Sequence, residues 1–185
     1  MPSYTVKTVQ DLTELAQPIR VAADGTVRAL RDILSNEGDS LQVLRMMKFE
    51  EIGHHPTESR RLNIIEQVNQ TFSYLLTVEA ERTLLARHPE AQGLRINLGT
   101  AAGFDLENLV PGVVAAAVFA ATHPRSNDKL RKEIQRLVEQ APSVQHRYVF
   151  FSCPGHESGR RPKLESAPSV IIWSLPTDQL LAPKT

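Results

Sequence analysis

Apolar residues in the first part of the chain recur at the three- and four-residue spacing of amphipathic helices. This pattern predicts helical structure over residues 8–52, opened by a capping box between Thr8 and Asp11 and interrupted at Pro18 and Gly25. The last helix of this region is expected to place three apolar side chains on one face: Leu41, Leu44 and Met47.

A longer helical pattern follows the polar segment around residues 53–59. It is predicted to begin at Thr57 or Ser59, to run to Arg87, and to end because Pro89 and Gly93 stop helices. Its apolar stripe consists of Leu62, Ile65, Val68, Phe72, Leu75 and Leu76.

The second half of the chain shows the two-residue alternation of strands. Leu94, Ile96 and Leu98 alternate with polar residues, and residues 99–112 form a loop or a second strand that ends in a turn at Pro111 and Gly112. Residues 113–122 are almost wholly apolar, as in a strand that is buried on both faces. A helix is expected from Ser126 or Asn127, with Leu130, Ile134 and Leu137 packed on the sheet. Strands are expected over 146–153 and 168–175. The order helix, three strands, helix and two strands predicts an α/β (α+β) fold with a central mixed sheet flanked by helices.

This pattern divides the chain into three parts. Residues 1–56 are predicted to form a helical N-terminal region for dimerisation or DNA bridging, residues 57–176 an α/β core, and residues 177–185 a loose tail.

Composition excludes several classes of protein. The chain has 185 residues, of which one is cysteine, so a disulfide framework and a multi-cysteine zinc site are excluded. Lys and Arg total 21 and Asp and Glu total 21, which argues against a sequence-blind coat for nucleic acid but allows a local basic cleft. No basic segment with an apolar run begins the sequence, and no run approaches about 18 apolar residues, so a cytoplasmic protein without a membrane span is expected.

Common catalytic signatures are missing. The sequence has no G-x-G-x-x-G after a strand, no G-x-x-x-x-G-K-[ST] and no G-x-S-x-G. His54 and His55 are adjacent, so their side chains are expected to diverge. Cys153 is either a nucleophile or a small buried hydrophobe, and its place at the end of an apolar strand favours the second.

Three successive alanines, residues 115–117, occupy a predicted core strand, although alanine is depleted in strands. Asp105 precedes this strand and is either a turn residue or part of a site. The order of elements around it resembles the PD-(D/E)xK nuclease superfamily, which includes many type II restriction endonucleases. The resemblance implies a restriction-endonuclease-like core that binds Mg²⁺ through an Asp at the start of the second strand and a Glu on the third, beside a Lys.

Mapped onto this chain, the resemblance assigns the Asp position to Asp105 and the Glu position to Ala117. The Lys position falls on Phe119, so Lys129 in the following helix is the expected substitute. Glu107 would share a face with Asp105 and join it at the metal. Alanine at 117 then represents a natural or engineered loss of the catalytic acid; alternatively, the alanines simply pack under a helix.

Other residues could complete such a site. Glu66 and Asn69 on the long helix could support the metal ligands, or they could lie on a solvated face. Five basic residues could contact DNA, or they could be ordinary surface charges: Arg60, Arg61, Arg160, Arg161 and Lys163.

Two functions follow as hypotheses. The first is a Mg²⁺-dependent endonuclease of the restriction or defence type that acts as a homodimer on double-stranded DNA, inactivated in this chain by Ala117. The alternative is a non-catalytic interaction protein on a degenerate nuclease-like scaffold.

Overall fold

The computed structural model describes residues 3–99, 103–123 and 126–181. Its helices are α1 (Val9–Asn36), α2 (Ser40–Phe49), α3 (Ile64–Arg87), α4 (Lys129–Gln140) and α5 (Thr177–Leu181). Its strands are β1 (Ser3–Val6), β2 (Gly53–His54), β3 (Arg61–Leu62), β4 (Leu94–Asn97), β5 (Leu106–Asn108), β6 (Val114–Ala120), β7 (His146–Ser152), β8 (Gly159–Arg160) and β9 (Val170–Ser174).

The chain forms two compact units. One comprises residues 13–75, and the other comprises residues 1–12 together with 76–185. The sequence instead suggested divisions after residues 56 and 176. Residues 177–181, expected in a loose tail, form α5, in which Leu180 is buried.

None of the helices described is long and apolar enough to cross a membrane.

The helix α1 is continuous where the sequence predicted interruptions. Pro18 and Gly25 both lie inside it, so the predicted breaks are wrong. Proline removes one helical hydrogen bond and glycine weakens a helix, but in a helix of 28 residues the remaining bonds outweigh both effects. The predicted capping box is confirmed: the backbone N–H of Thr8 donates to Asp11 Oδ2 at 2.9 Å, and the N–H of Asp11 donates to Thr8 Oγ1 at 3.2 Å.

The helix predicted to carry Leu41, Leu44 and Met47 on one face is confirmed as α2, but this face does not meet the core. Leu41 and Leu44 are 76% and 60% exposed, whereas Val43 is buried. Helical spacing identifies which residues share a face, but it does not say which face meets the core.

The start of the next helix also differs from the prediction. Residues 53–54 and 61–62 pair as the antiparallel strands β2 and β3, so α3 begins only at Ile64. Asn63 caps it by accepting a hydrogen bond from the N–H of Glu66 at 2.9 Å. Ile65 and Val68 are exposed, so these two positions of the predicted apolar stripe are wrong; Leu62 is buried, but it lies in β3 and not in the helix.

The other unit contains a seven-stranded mixed sheet in the order β1-β4-β5-β6-β7-β9-β8. The strands β4, β5 and β6 form an antiparallel meander, whereas β6, β7 and β9 are parallel. The predicted mixed α/β class is therefore confirmed. The short strands β1 and β8 at the two edges were not predicted.

Helices cover both faces of this sheet. On one face, Leu130, Ile134 and Leu137 of α4 pack into a core that includes Ala115 and Ala117. The end of α3 lies over the opposite face, where the Arg87 guanidinium is 4.6 Å from the ring centre of Trp173. The predicted apolar face of α4 is confirmed, and the small alanine side chains leave room for this helix.

Candidate functional site

Asp105 lies in the row of residues that crosses the middle of the sheet. Leu106 pairs with Ala116 and Glu107 pairs with Ala115, so the next step of the same register places Asp105 opposite Ala117. Asp105 directly precedes β5, so the two positions that the resemblance assigns to the acids lie across from each other at neighbouring strands. Asp105 does not lie on an edge strand, however, because its backbone carbonyl also accepts from the N–H of Asn97 on β4.

The Asp105 carboxylate points to the same face of the sheet as α4. Its Oδ2 atom accepts a hydrogen bond from the backbone N–H of Val118 at 2.8 Å. Burial raises the pKa of Asp105, because a low-dielectric environment disfavours the charged form. The Val118 N–H and the positive charges of Arg136 and Lys129 oppose this shift, and the negative charge of Glu133 adds to it.

Three side chains of α4 form a charged cluster near Asp105. Glu133 is buried; Lys129 Nζ lies 3.0 Å from its Oε1, and Arg136 Nη1 lies 3.2 Å from its Oε2. The Arg136 guanidinium also lies 5.0 Å from the ring centre of Phe104. Two carboxylates are thus balanced by two cations. Lys129 is near Asp105, as expected, whereas Glu133 was missed, although its spacing four residues from Lys129 is a signal for an ion pair.

Glu107 shares the α4-side face with Asp105 but is held by its own loop. Its Oε1 accepts a hydrogen bond from the N–H of Phe104 at 2.9 Å. A Cβ added at Gly103 would lie 2.7 Å from the same oxygen. Glu107 therefore fixes the backbone that leads into Asp105, and one of its oxygens is already engaged.

The predicted DNA-contact residues of the loop around β8 are mostly engaged within the protein. Arg160 makes two hydrogen bonds of 2.8 Å to the carboxylate of Glu165, a bidentate geometry, and this ion pair raises the pKa of Arg160. Arg161 donates to Ser174 Oγ at 2.7 Å. Lys163 is exposed.

The other predicted basic pair belongs to the unit of residues 13–75. Arg60 Nε donates to Glu58 at 2.8 Å, and Arg61 donates to the carbonyl of Ile52 at 3.2 Å. Glu66 and Asn69 belong to the same unit and are exposed. This observation favours the solvated-face interpretation of Glu66.

Cys153 is buried, and burial raises the pKa of its thiol. A thiol that resists ionisation is a poor nucleophile. This environment favours the interpretation of Cys153 as a small buried hydrophobe.

A second group of titratable side chains was not predicted. Ligand atoms of His88, Glu90 and His146 all lie within 4.8 Å of one another. His88 and Glu90 are close in sequence, but His146 comes from a distant strand. Only the three-dimensional arrangement brings the three residues together.

Comparisons with protein-family models, curated proteins and solved structures found no match to this chain. Its function is therefore inferred from the geometry of these residues.

Proposed function

We propose that this chain is a DNA-binding domain of the nuclease type whose hydrolytic centre, at Asp105, lacks one carboxylate because residue 117 is alanine. The observation that supports this proposal is the position of Asp105 directly across from Ala117 on neighbouring strands, on the face covered by α4. In the resemblance described above, these two positions carry the acids that share a metal ion.

The donor set at this place does not complete a magnesium site. Mg²⁺ requires several hard oxygen ligands in near-octahedral geometry. One oxygen of Asp105 already accepts from Val118, one oxygen of Glu107 accepts from Phe104, and Ala117 offers none. The chain as it stands is therefore proposed to bind Mg²⁺ weakly and to cut DNA poorly.

Charge balance supports the same conclusion. Asp105 and Glu133 are matched by Lys129 and Arg136, so these two carboxylates attract a further cation only weakly. A glutamate at 117 would add one negative charge at a position that is now fully buried. A buried charge is costly unless it is paired, and a divalent cation would compensate it.

The proposed substrate is double-stranded DNA, and the proposed active form is a homodimer, because one centre cuts one strand and a duplex needs two cuts. Lys129 would then contact the phosphate beside Asp105. The biological role proposed for such an enzyme is restriction or defence.

The experiment is a cleavage assay with Ala117→Glu on a broad pool of duplex DNA at low salt with Mg²⁺. Ala117→Gln is the matched control, because it has nearly the same size but no charge. Cleavage by the Glu variant and not by the Gln variant supports the proposal. In addition, Mg²⁺ should raise the melting temperature of Ala117→Glu alone. A folded Ala117→Glu protein that neither binds nor cuts DNA contradicts the proposal.

A second candidate is a non-catalytic interaction protein, which one observation favours. The unit of residues 13–75 exposes several large apolar side chains, as expected for a protein-binding surface. They are Leu34, Leu41, Leu44 and Phe49. The test is sedimentation analysis of the parent chain and of the double variant Leu41→Glu/Leu44→Glu. If the parent chain self-associates through this surface, the double variant should be a monomer.

A further inference from the structure

We infer that His88, Glu90 and His146 form a binding site for one borderline divalent cation of the Zn²⁺ class, separate from the centre at Asp105. Their ligand atoms all lie within 4.8 Å of one another. This inference does not rest on the proposed nuclease function, since none of the three residues contributes to the Asp105 cluster.

The three residues are placed by two different parts of the fold. His88 directly follows the last residue of α3, and Glu90 lies in the single 3-10 turn Pro89–Ala91 that comes next. His146 is the first residue of β7, and its backbone N–H donates to the carbonyl of Val113 at 2.9 Å. The strand and the turn are both fixed by backbone hydrogen bonds, so the site is largely preorganised.

The two imidazole rings lie close together and are tilted relative to each other. The ring centres of His88 and His146 are 4.4 Å apart, with an angle of 34° between their planes. His88 Nδ1 lies 2.9 Å from Glu90 Oε1. Around a tetrahedral ion with bonds of about 2.0–2.2 Å, ligand atoms lie about 3.3–3.6 Å apart. Small side-chain rotations would therefore bring all three ligands onto one ion.

Tyr148 is the hydrogen-bond partner for the ring nitrogen of His88 that would not bind the metal. Its hydroxyl lies 2.8 Å from His88 Nε2, and its side chain is buried and stacked on Phe150. A metal-bound imidazole usually places its other N–H on such a partner, which fixes the tautomer and the orientation of the ring. In the metal-free chain, the Nδ1–H of His88 donates to Glu90 Oε1. A bound ion would replace this proton at Nδ1, and the Nε2–H would then donate to the Tyr148 hydroxyl.

The donor chemistry selects the ion. Two imidazole nitrogens and one carboxylate oxygen suit Zn²⁺ and similar transition metals, whereas Mg²⁺ prefers a set made of oxygens only. The side chain of Glu90 is half exposed while that of His88 is nearly buried, so the open side of the site faces solvent. A water molecule would complete a four-coordinate ion there. The ion would join the turn after α3 to the start of β7.

The test uses the full chain, stripped of metal with a chelator and titrated with Zn²⁺ against a chromophoric competitor. One ion should bind, and Mg²⁺ in excess should not displace it. Tyr148→Phe should weaken binding by about 10- to 100-fold. His88→Gln and His146→Gln should weaken it further, because each removes a direct ligand. His123→Gln is the matched control, since His123 is exposed and lies outside the cluster, and it should leave the affinity unchanged.

A second measurement does not depend on the variants folding. In the parent chain with ¹⁵N-labelled histidine, Zn²⁺ should shift the ring signals of two of the six histidines, those of His88 and His146. Unmoved signals, or equal shifts of all six, overturn the inference. So does a His88→Gln/His146→Gln protein that binds Zn²⁺ as tightly as the parent.

Discussion

Asp105 Oδ2 lies 2.8 Å from the backbone nitrogen of Val118, the residue that follows Ala117. This hydrogen bond joins the start of β5 to the middle of β6 through a side chain. It also occupies one of the two oxygens that a metal ion would use. The same contact therefore stabilises the sheet and limits the chemistry of this position.

Asp105→Asn and Asp105→Ala are expected to differ in stability. Asparagine keeps an oxygen that accepts from Val118, so its cost should stay below about 1 kcal/mol, whereas alanine leaves the buried N–H unpaired and should cost about 1–3 kcal/mol. Urea unfolding at neutral pH measures both values. In the Ala117→Glu background, both variants should abolish cleavage. Equal stability of the two variants would show that the Val118 contact contributes nothing.

Glu81 should make the folded state less stable as the pH rises. It is fully buried, neither of its oxygens has a hydrogen-bond partner among the described residues, and burial raises its pKa from 4.5 to about 9. Between pH 4.5 and pH 9, the Glu81 carboxyl keeps its proton in the folded state but loses it in the unfolded state. The free energy of unfolding therefore falls as the pH rises through this range.

Glu81→Gln should therefore be more stable than the parent at pH 8, by roughly 4–5 kcal/mol, and the difference should shrink toward pH 5. Thermal or urea unfolding over this range checks the prediction. Parallel pH profiles for the two proteins would show that Glu81 ionises normally.

The contact of α4 with the sheet should depend on Ile134. This side chain is 6% exposed and belongs to the core with Ala117, so Ile134→Ala should cost about 2–5 kcal/mol. Val138 in the same helix is 39% exposed, and Val138→Ala is the control, with an expected cost below about 1 kcal/mol. Similar losses for the two variants would mean that α4 does not pack as described.

Gly93 should not tolerate a side chain. Its φ is +106°, and an added Cβ would lie 2.6 Å from the backbone oxygen of Val6. Gly93→Ala should therefore separate β1 from β4 and destabilise the fold by about 2 kcal/mol or more. Gly38→Ala is the control, since a Cβ there meets nothing within 4 Å. Hydrogen exchange at residues 3–6 reports the loss of pairing directly.

Much of the sheet could be predicted from the sequence because its strands have strong local patterns. Residues 114–120 form a continuous apolar run and residues 148–151 a shorter one, and such runs are typical of central strands buried on both faces. The strands β1 and β8 could not be predicted in this way. They have only four and two residues, and their pairing depends on partners that are distant or irregular.

In the candidate sites, too, only the residues that are linked by a local sequence pattern could be placed together. Asp105 and residue 117 could be placed opposite each other because one short turn connects their strands and fixes the register. Glu133 was not predicted to lie near Asp105, because its position depends on how α4 is oriented over the sheet. His88 and His146 could not be paired from sequence, since no local pattern connects the end of a helix with the first residue of a distant strand.

The pairing of Val6 with Leu94 also sets an order of events during synthesis. Nearly half of the chain separates these two residues, so β1 leaves the ribosome well before its partner exists. At roughly 5–20 residues per second, the wait lasts several seconds. During that time the backbone of β1 has only water to bond with, so this strand should gain no protection in a newborn chain until β4 has emerged.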